Sequence, residues 1–184
     1  MRAVLDACVL YPTVLREILL GVAAKGLYTP LWSDRILEEW ARATNKLGPG
    51  AEVQARAEIA LLRAAFPDAC LPEVEAIERR LILPDPDDVH VLAVAIHGHA
   101  DCIVTFNAGD FPRHVLAEEG IARRDPDGFL WQLWSHHPGD VAAVVGQVHA
   151  TAERISGGPL TLKGLMKRAR LGRLGKALLA ADQA

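Results

Sequence analysis

The chain has 184 residues, of which 51% are hydrophobic and 23% charged, and its formal net charge at pH 7 is −3. This composition excludes a disordered chain and supplies apolar material for one ordinary domain with a small extension. The negative net charge excludes a protein that binds nucleic acid over its whole surface, but it allows a local basic patch. We predict one domain over residues 1–134 and a helical C-terminal extension over residues 135–184.

The chain shows none of the sequence features of a membrane or exported protein. No run reaches the roughly 18 consecutive apolar residues that a membrane span requires, so we expect no membrane contact. The N-terminal segment lacks a small-residue cleavage site and predicts a strand of the mature protein. Cys8, Cys70 and Cys102 are scattered in apolar surroundings. They predict buried thiols in a reducing compartment, and we therefore expect the cytoplasm.

Short apolar runs alternate with helical periodicities through the first part of the chain. The predicted strands cover residues 3–5, 27–31, 81–83 and 102–106, with a possible edge strand at 121–123. The predicted helices cover residues 14–22, the segment capped by Ser33, residues 51–66 and residues 85–98. This alternation predicts an α/β sandwich with a mostly parallel central sheet. After Pro126 the pattern is helical throughout.

The segment Asp85-Pro86-Asp87-Asp88 opens the last of these helices. Proline favours the first helical position, and acids stabilise a helix N-terminus, so the segment reads first as a capping device. A helical wheel separates its members, because only Asp88 lies on the strongly apolar face of Val91 and its neighbours, opposite His90 and His97. An inward carboxylate is costly unless it is paired or binds a metal. We therefore predict a functional Asp88 and a structural Asp85 and Asp87.

The same chain contains a natural control for this interpretation. Asp125-Pro126-Asp127 repeats the pattern, but the next residue is Gly128 instead of an acid. The repeated part therefore predicts a cap, and the fourth position distinguishes the first copy.

Further polar residues follow the predicted strands. Asp6 ends the first strand, and Asn107 and Asp110 follow the strand at 102–106. Because ligands of open parallel sheets bind outside the carboxyl ends of the strands, these residues and Asp88 can meet at one edge. Carboxylates gathered there repel each other, and Mg²⁺ or Mn²⁺ is the usual counterion.

Three motifs in order resemble the PIN domain, and among PIN domains the VapC-like toxins of bacterial toxin–antitoxin pairs. The motifs are Val4-Leu5-Asp6, Asp85-Pro86-Asp87-Asp88 with Ala93 and Ala95, and the segment from Ile103 to Phe111. The resemblance covers residues 1 to about 134. It implies a PIN-like three-layer sandwich and a Mg²⁺- or Mn²⁺-dependent ribonuclease. It also implies RNA as substrate, a cognate antitoxin as partner, and a homodimer or a toxin–antitoxin hetero-oligomer.

The resemblance implies four acidic positions at the site. The residues that match are, as catalytic, Asp6, Glu39, Asp88 and Asp110, and, as metal ligands, Asp6, Asp88 and Asp110. For the second position the wheel does not choose between Glu38 and Glu39, although Glu39 matches the motif better. The fourth position departs from the family, because Asn107 stands where many relatives have an acid. Either Asp110 or Asn107 fills it, and Thr105 supports a neighbouring acid through its hydroxyl.

Candidates for RNA contact and rival functions complete the prediction. The basic candidates are Arg113, Lys163, Lys167 and Arg170, the last three spaced along one predicted helical face. One rival is a catalytically degenerate module that binds nucleic acid or an antitoxin. The other is a phosphatase with Asp6 as nucleophile, which Cys8 disfavours, because such enzymes carry a second aspartate at that position.

Overall fold

The computed structural model describes residues 1–181, and residues 182–184 of the predicted extension lie outside it. By internal contacts the chain forms two compact units. The first consists of Met1–Tyr11 and Tyr28–Arg124, and the second of Pro12–Leu27 and the chain from Asp125 onward. The predicted boundary between residues 134 and 135 stays a prediction, because compactness alone does not show which segments fold independently.

The first unit is built on a parallel sheet. Its strands, among the described residues, are β1 (Arg2–Leu5), β2 (Thr29–Ser33), β3 (Cys70–Leu71), β4 (Cys102–Val104) and β5 (Ala122–Arg124). They lie in the order β3-β2-β1-β4-β5, and every pairing is parallel. This confirms the predicted α/β sandwich with a parallel central sheet. It also confirms an edge strand near residues 121–123.

Burial explains why β1 is central. Ala3, Val4 and Leu5 are fully buried, as expected for a parallel strand covered on both faces. Val4 pairs with Leu31 of β2 on one side and with Ile103 of β4 on the other.

The predicted strand at residues 81–83 is wrong. Ile82 is 85% exposed, and the segment is irregular. The short strand that pairs with β2 is instead Cys70–Leu71. A run of three apolar residues therefore did not identify a buried strand.

Helices connect the strands and continue after them. They are α1 (Ala7–Leu10), α2 (Thr13–Ala24), α3 (Asp34–Ala43), α4 (Ala51–Ala65), α5 (Glu75–Glu78), α6 (Val89–His97), α7 (Arg113–Glu118), α8 (Pro126–His136), α9 (Pro138–Ser156), α10 (Leu162–Arg168) and α11 (Gly172–Ala181). A 3₁₀ turn, Pro86–Asp88, leads into α6. As predicted, Ser33 caps α3, because its hydroxyl accepts from the Ile36 amide at 3.3 Å.

The second unit is helical and consists of α2 and α8–α11. This confirms the helical pattern predicted after Pro126. No helix in the described part of the chain is both long and apolar enough to cross a membrane.

Candidate metal centre

The candidate site lies where the strand order of the sheet reverses. β1 is followed along the chain by its neighbour β2, whereas its other neighbour, β4, comes almost a hundred residues later. Asp6 directly follows β1, and Thr105 directly follows β4. The Asp6 amide donates to the Val104 carbonyl at 3.2 Å, which holds the two strand ends together. Such a reversal point is where open parallel sheets bind ligands.

Asp6 is held by two side chains. The Thr105 hydroxyl donates to Asp6 Oδ2 at 2.6 Å, and the Cys8 thiol donates to the same oxygen at 3.0 Å. Asp6 is 6% exposed. Neither bond engages Oδ1, so the two donors fix the carboxylate while leaving that oxygen to other partners. Thr105 therefore supports a neighbouring acid in the predicted way.

Three carboxylates converge beside it. Ligand oxygens of Asp85, Asp88 and Asp110 lie within 4.8 Å of one another, and within the described residues this is the one such group of three. The Asn107 amide donates to Asp88 Oδ2 at 3.3 Å and also to Asp110 Oδ2. The structure thus places both candidates for the fourth position at the site, with Asn107 bridging two of the acids.

The surroundings of Asp88 disfavour the charged form of its carboxyl. Burial raises the pKa of this carboxyl to about 6, and the charges of Asp6, Asp110, Asp85 and Glu39 add to the effect in that order. Partly buried carboxylates that crowd together raise one another's pKa, and an opposite charge would relieve this repulsion. A hard divalent cation that takes carboxylate oxygens fits this donor set.

Asp88 lies in the 3₁₀ turn before α6 and not on the α-helix that the wheel assumed, and its functional role stays a prediction. Asp88 stands at the N-cap of α6, yet within the described chain its carboxylate makes no capping hydrogen bond. Asp85 accepts from the Asp87 amide at 2.9 Å and so caps the turn, as predicted. Asp85 also contributes an oxygen to the group of three, a role that the sequence analysis missed.

The structure also separates the two glutamates of α3. Glu38 pairs with Arg42 at 2.7 Å and with Arg56 at 2.8 Å, and these hydrogen bonds lower its pKa to about 2. Glu39 instead lies near Asp88, whose pKa its charge helps to raise. Glu39 is therefore the glutamate placed on the side of the acidic group.

Two basic side chains contact Glu39. Arg35 Nε lies 3.4 Å from Glu39 Oε1, and Arg35 also donates to the Asp87 carbonyl at 3.2 Å. His90 Nε2 lies 2.9 Å from the same glutamate oxygen. His90 is 1% exposed, although the wheel placed it opposite the apolar face, because α6 is buried from His90 to Ala95 all around. The contact between His90 and Glu39 was missed, since it joins residues that are distant in sequence, whereas Arg35 and Glu39 lie four residues apart on α3.

The basic residues predicted for RNA contact are all exposed, namely Arg113, Lys163, Lys167 and Arg170. Arg113 begins α7 in the first unit, and the other three belong to the second unit. The predicted common helical face is wrong for Arg170. α10 ends at Arg168, and Arg170 has φ 59°, with its amide bonded to the Lys167 carbonyl in a Schellman turn.

The fold and the site together define an α/β protein with a candidate divalent-metal centre at the reversal point of a parallel sheet. The family model for the PIN domain matches residues 2–109, and the chain belongs to the PIN-domain family. The matched segment contains Asp6, Glu39, Asp85 and Asp88 and ends one residue before Asp110. PIN domains are generally metal-dependent nucleases, so membership supports a hydrolytic nuclease. Comparison with curated proteins and with solved structures gave no match.

Proposed function

We propose that the protein is a Mg²⁺- or Mn²⁺-dependent endoribonuclease and the toxin of a bacterial toxin–antitoxin pair. One observation carries the proposal. In a chain of the PIN-domain family, oxygens of Asp85, Asp88 and Asp110 lie within 4.8 Å of one another beside the buried Asp6. The resemblance of the three motifs to VapC-like toxins supports the finer part, the toxin role.

The acids would hold the cation. The group of Asp85, Asp88 and Asp110 would supply ligands, of which Asp88 and Asp110 are the predicted ones. Asp6 is the third predicted ligand, and its negative charge helps to raise the pKa of Asp88. When bound, a divalent cation activates water as a nucleophile and offsets the negative charge of the phosphodiester.

The remaining residues orient these acids. Thr105 and Cys8 fix the Asp6 carboxylate through Oδ2. The Asn107 amide fixes Asp88 and Asp110 relative to each other. Glu39, which is partly exposed beside the cluster, would orient the attacking water and accept its proton.

RNA and a protein partner complete the proposal. Arg113 lies three residues after Asp110 and would contact a phosphate near the site, while Lys163, Lys167 and Arg170 would bind RNA or the antitoxin. We propose a homodimer or a toxin–antitoxin hetero-oligomer as the assembly. The free state of all three cysteines, which fall within the described residues, supports the reducing environment of the cytoplasm.

A degenerate binding module is the second candidate, and Asn107 is the observation that favours it. An amide stands at a position where many PIN domains have an acid, and it occupies two of the carboxylates. The phosphatase alternative has weaker support, since Cys8 lies where a second aspartate is required and donates to Asp6.

Cleavage of a single-stranded RNA pool tests the proposal. We expect cleavage by the wild-type chain with Mg²⁺ or Mn²⁺ and none with a chelator. A preparation of the Asp88→Asn, Asp110→Asn double variant controls for contaminating nucleases. Cleavage that persists with the chelator would refute metal dependence. RNA binding without cleavage under any metal condition would favour the degenerate module.

A further inference from the structure

His90 is a fully buried polar side chain in the first unit. Its side chain is 0% exposed, and among the described residues neither ring nitrogen has a hydrogen-bond partner. Leaving a buried donor or acceptor unpaired costs about 1–3 kcal/mol. A nonpolar residue would avoid this cost in the otherwise apolar segment from Val91 to Ala95.

A carboxylate lies within hydrogen-bond distance of one ring nitrogen. Nε2 lies 2.9 Å from Glu39 Oε1, which is a hydrogen-bond distance, but the direction of approach does not satisfy hydrogen-bond geometry. The His90 ring is enclosed, whereas the Glu39 side chain is 38% exposed and can turn. A rotation of the Glu39 side chain can therefore bring its carboxylate into line with Nε2–H. Because an ionised carboxylate only accepts, the proton must sit on Nε2.

We propose that His90 is a positioning residue, whose Nε2–H donates to Glu39 and fixes that carboxylate toward the acidic cluster. Arg35 contacts the same glutamate oxygen at 3.4 Å but is itself 38% exposed, so it restrains Glu39 less tightly than an enclosed ring does. The catalytic consequence rests on the proposed function, whereas the contact between His90 and Glu39 is independent of it.

The ring proton gives a readout that needs neither metal nor RNA. In ¹H–¹⁵N spectra of the metal-free protein, we expect a slowly exchanging Nε2–H signal from His90. Glu39→Gln should shift this signal, whereas Glu38→Gln should leave it in place, because Glu38 pairs with Arg42 and Arg56. Protonation on Nδ1 alone, or a signal that ignores Glu39→Gln, would overturn the proposal. Neither variant alters the buried ring.

A double-mutant cycle tests the catalytic consequence. Glutamine places its amide nitrogen near the position of Nε2 and asparagine places it near Nδ1. We therefore expect His90→Asn to lower kcat about 10-fold or more with KM unchanged, and His90→Gln to restore most of it. In a Glu39→Gln background, His90→Asn should cause no further loss. Equal losses in both backgrounds would indicate a merely structural ring and overturn the proposal. His97→Asn, at the exposed end of the same helix, is the matched control.

The two readouts separate this inference from the proposed function. If the wild-type chain cleaves no RNA, the proposed function fails, and with it the catalytic role of His90, while the ring signal still decides whether the contact exists. If the wild-type chain cleaves RNA but the cycle is additive, the nuclease stands and the role of His90 fails.

Discussion

Two helix starts in this chain share one motif and differ in what they do. Asp85-Pro86-Asp87-Asp88 leads into α6, and Asp125-Pro126-Asp127-Gly128 leads into α8. In each, the first aspartate caps the turn, Asp85 by accepting from Asp87 at 2.9 Å and Asp125 by accepting from Gly128 at 2.8 Å. The proline follows in both. The local chemistry of starting a helix is therefore the same.

The surroundings of the remaining acids differ. In the second copy, Asp127 accepts from the amides of Arg173 and Leu174 at 2.7 and 2.9 Å, and so caps α11 within the same unit. In the first copy, carboxylate oxygens of Asp85 and Asp88 lie within 4.8 Å of each other and of an oxygen of Asp110. In the second copy, backbone amides donate to the acids, whereas in the first copy three carboxylates lie close together. Only the first copy therefore offers a site for a cation.

The largest expected effect separates Asp88 from its neighbour. Asp88→Asn should lower metal-dependent RNA cleavage about 100-fold or more, because it removes a candidate ligand from the group of three. Asp87→Asn should keep most of the activity, since Asp87 is exposed and contributes a backbone carbonyl to Arg35. Initial rates at saturating Mn²⁺ provide the measurement. Equal losses in the two variants would refute the distinction.

The next effect compares the two capping aspartates. Asparagine caps a helix about as well as aspartate, so Asp85→Asn and Asp125→Asn should both fold with little change in stability. Mn²⁺ affinity, titrated by electron paramagnetic resonance, should fall about 10-fold in Asp85→Asn and remain unchanged in Asp125→Asn. If Asp85→Asn binds Mn²⁺ as tightly as the wild type, Asp85 is a cap and nothing more.

These comparisons mark what the sequence could and could not predict. Asp6, Asp88 and Asp110 were predictable because strand ends and helical periodicity place residues within one element or on neighbouring strands. Helical periodicity did not choose between Glu38 and Glu39, and only the motif match favoured Glu39, because the contacts that separate the two glutamates come from Arg56 of α4 and His90 of α6. The second role of Asp85 was missed for a related reason. The capping motif is a sufficient local reason for an aspartate at position 85. It gives no indication that this side chain also lies near Asp110, which is distant in sequence.

A smaller effect concerns the second helix start alone. Asp127→Ala removes the carboxylate that accepts from two amides of α11, and we expect it to lower the free energy of unfolding by about 1–2 kcal/mol. Urea denaturation followed by circular dichroism measures it, and RNA cleavage by the folded variant should be unchanged. A loss below about 0.5 kcal/mol would show that the α11 cap contributes little.

The smallest effect is a pH dependence specific to the first helix start. Folding raises the pKa of Asp88 from 3.8 to about 6, so the folded state holds this proton more tightly. The resulting stabilisation is complete below pH about 4 and is lost as the pH rises through 6. With a chelator present, the wild-type Tm should fall between pH 5 and 7 by about 1–2 °C more than that of Asp88→Asn. Parallel pH profiles would contradict this.

The buried position of Cys8 beside Asp6 also affects how this sulfur behaves toward electrophiles. Burial and the adjacent Asp6 raise the pKa of the Cys8 thiol to about 12. At pH 7, only about one molecule in 10⁵ then carries the reactive thiolate. Iodoacetamide and peroxide should therefore modify this cysteine very slowly. Burial and the adjacent carboxylate thus give this edge of the sheet a thiol that resists alkylation and oxidation while it donates a hydrogen bond to Asp6.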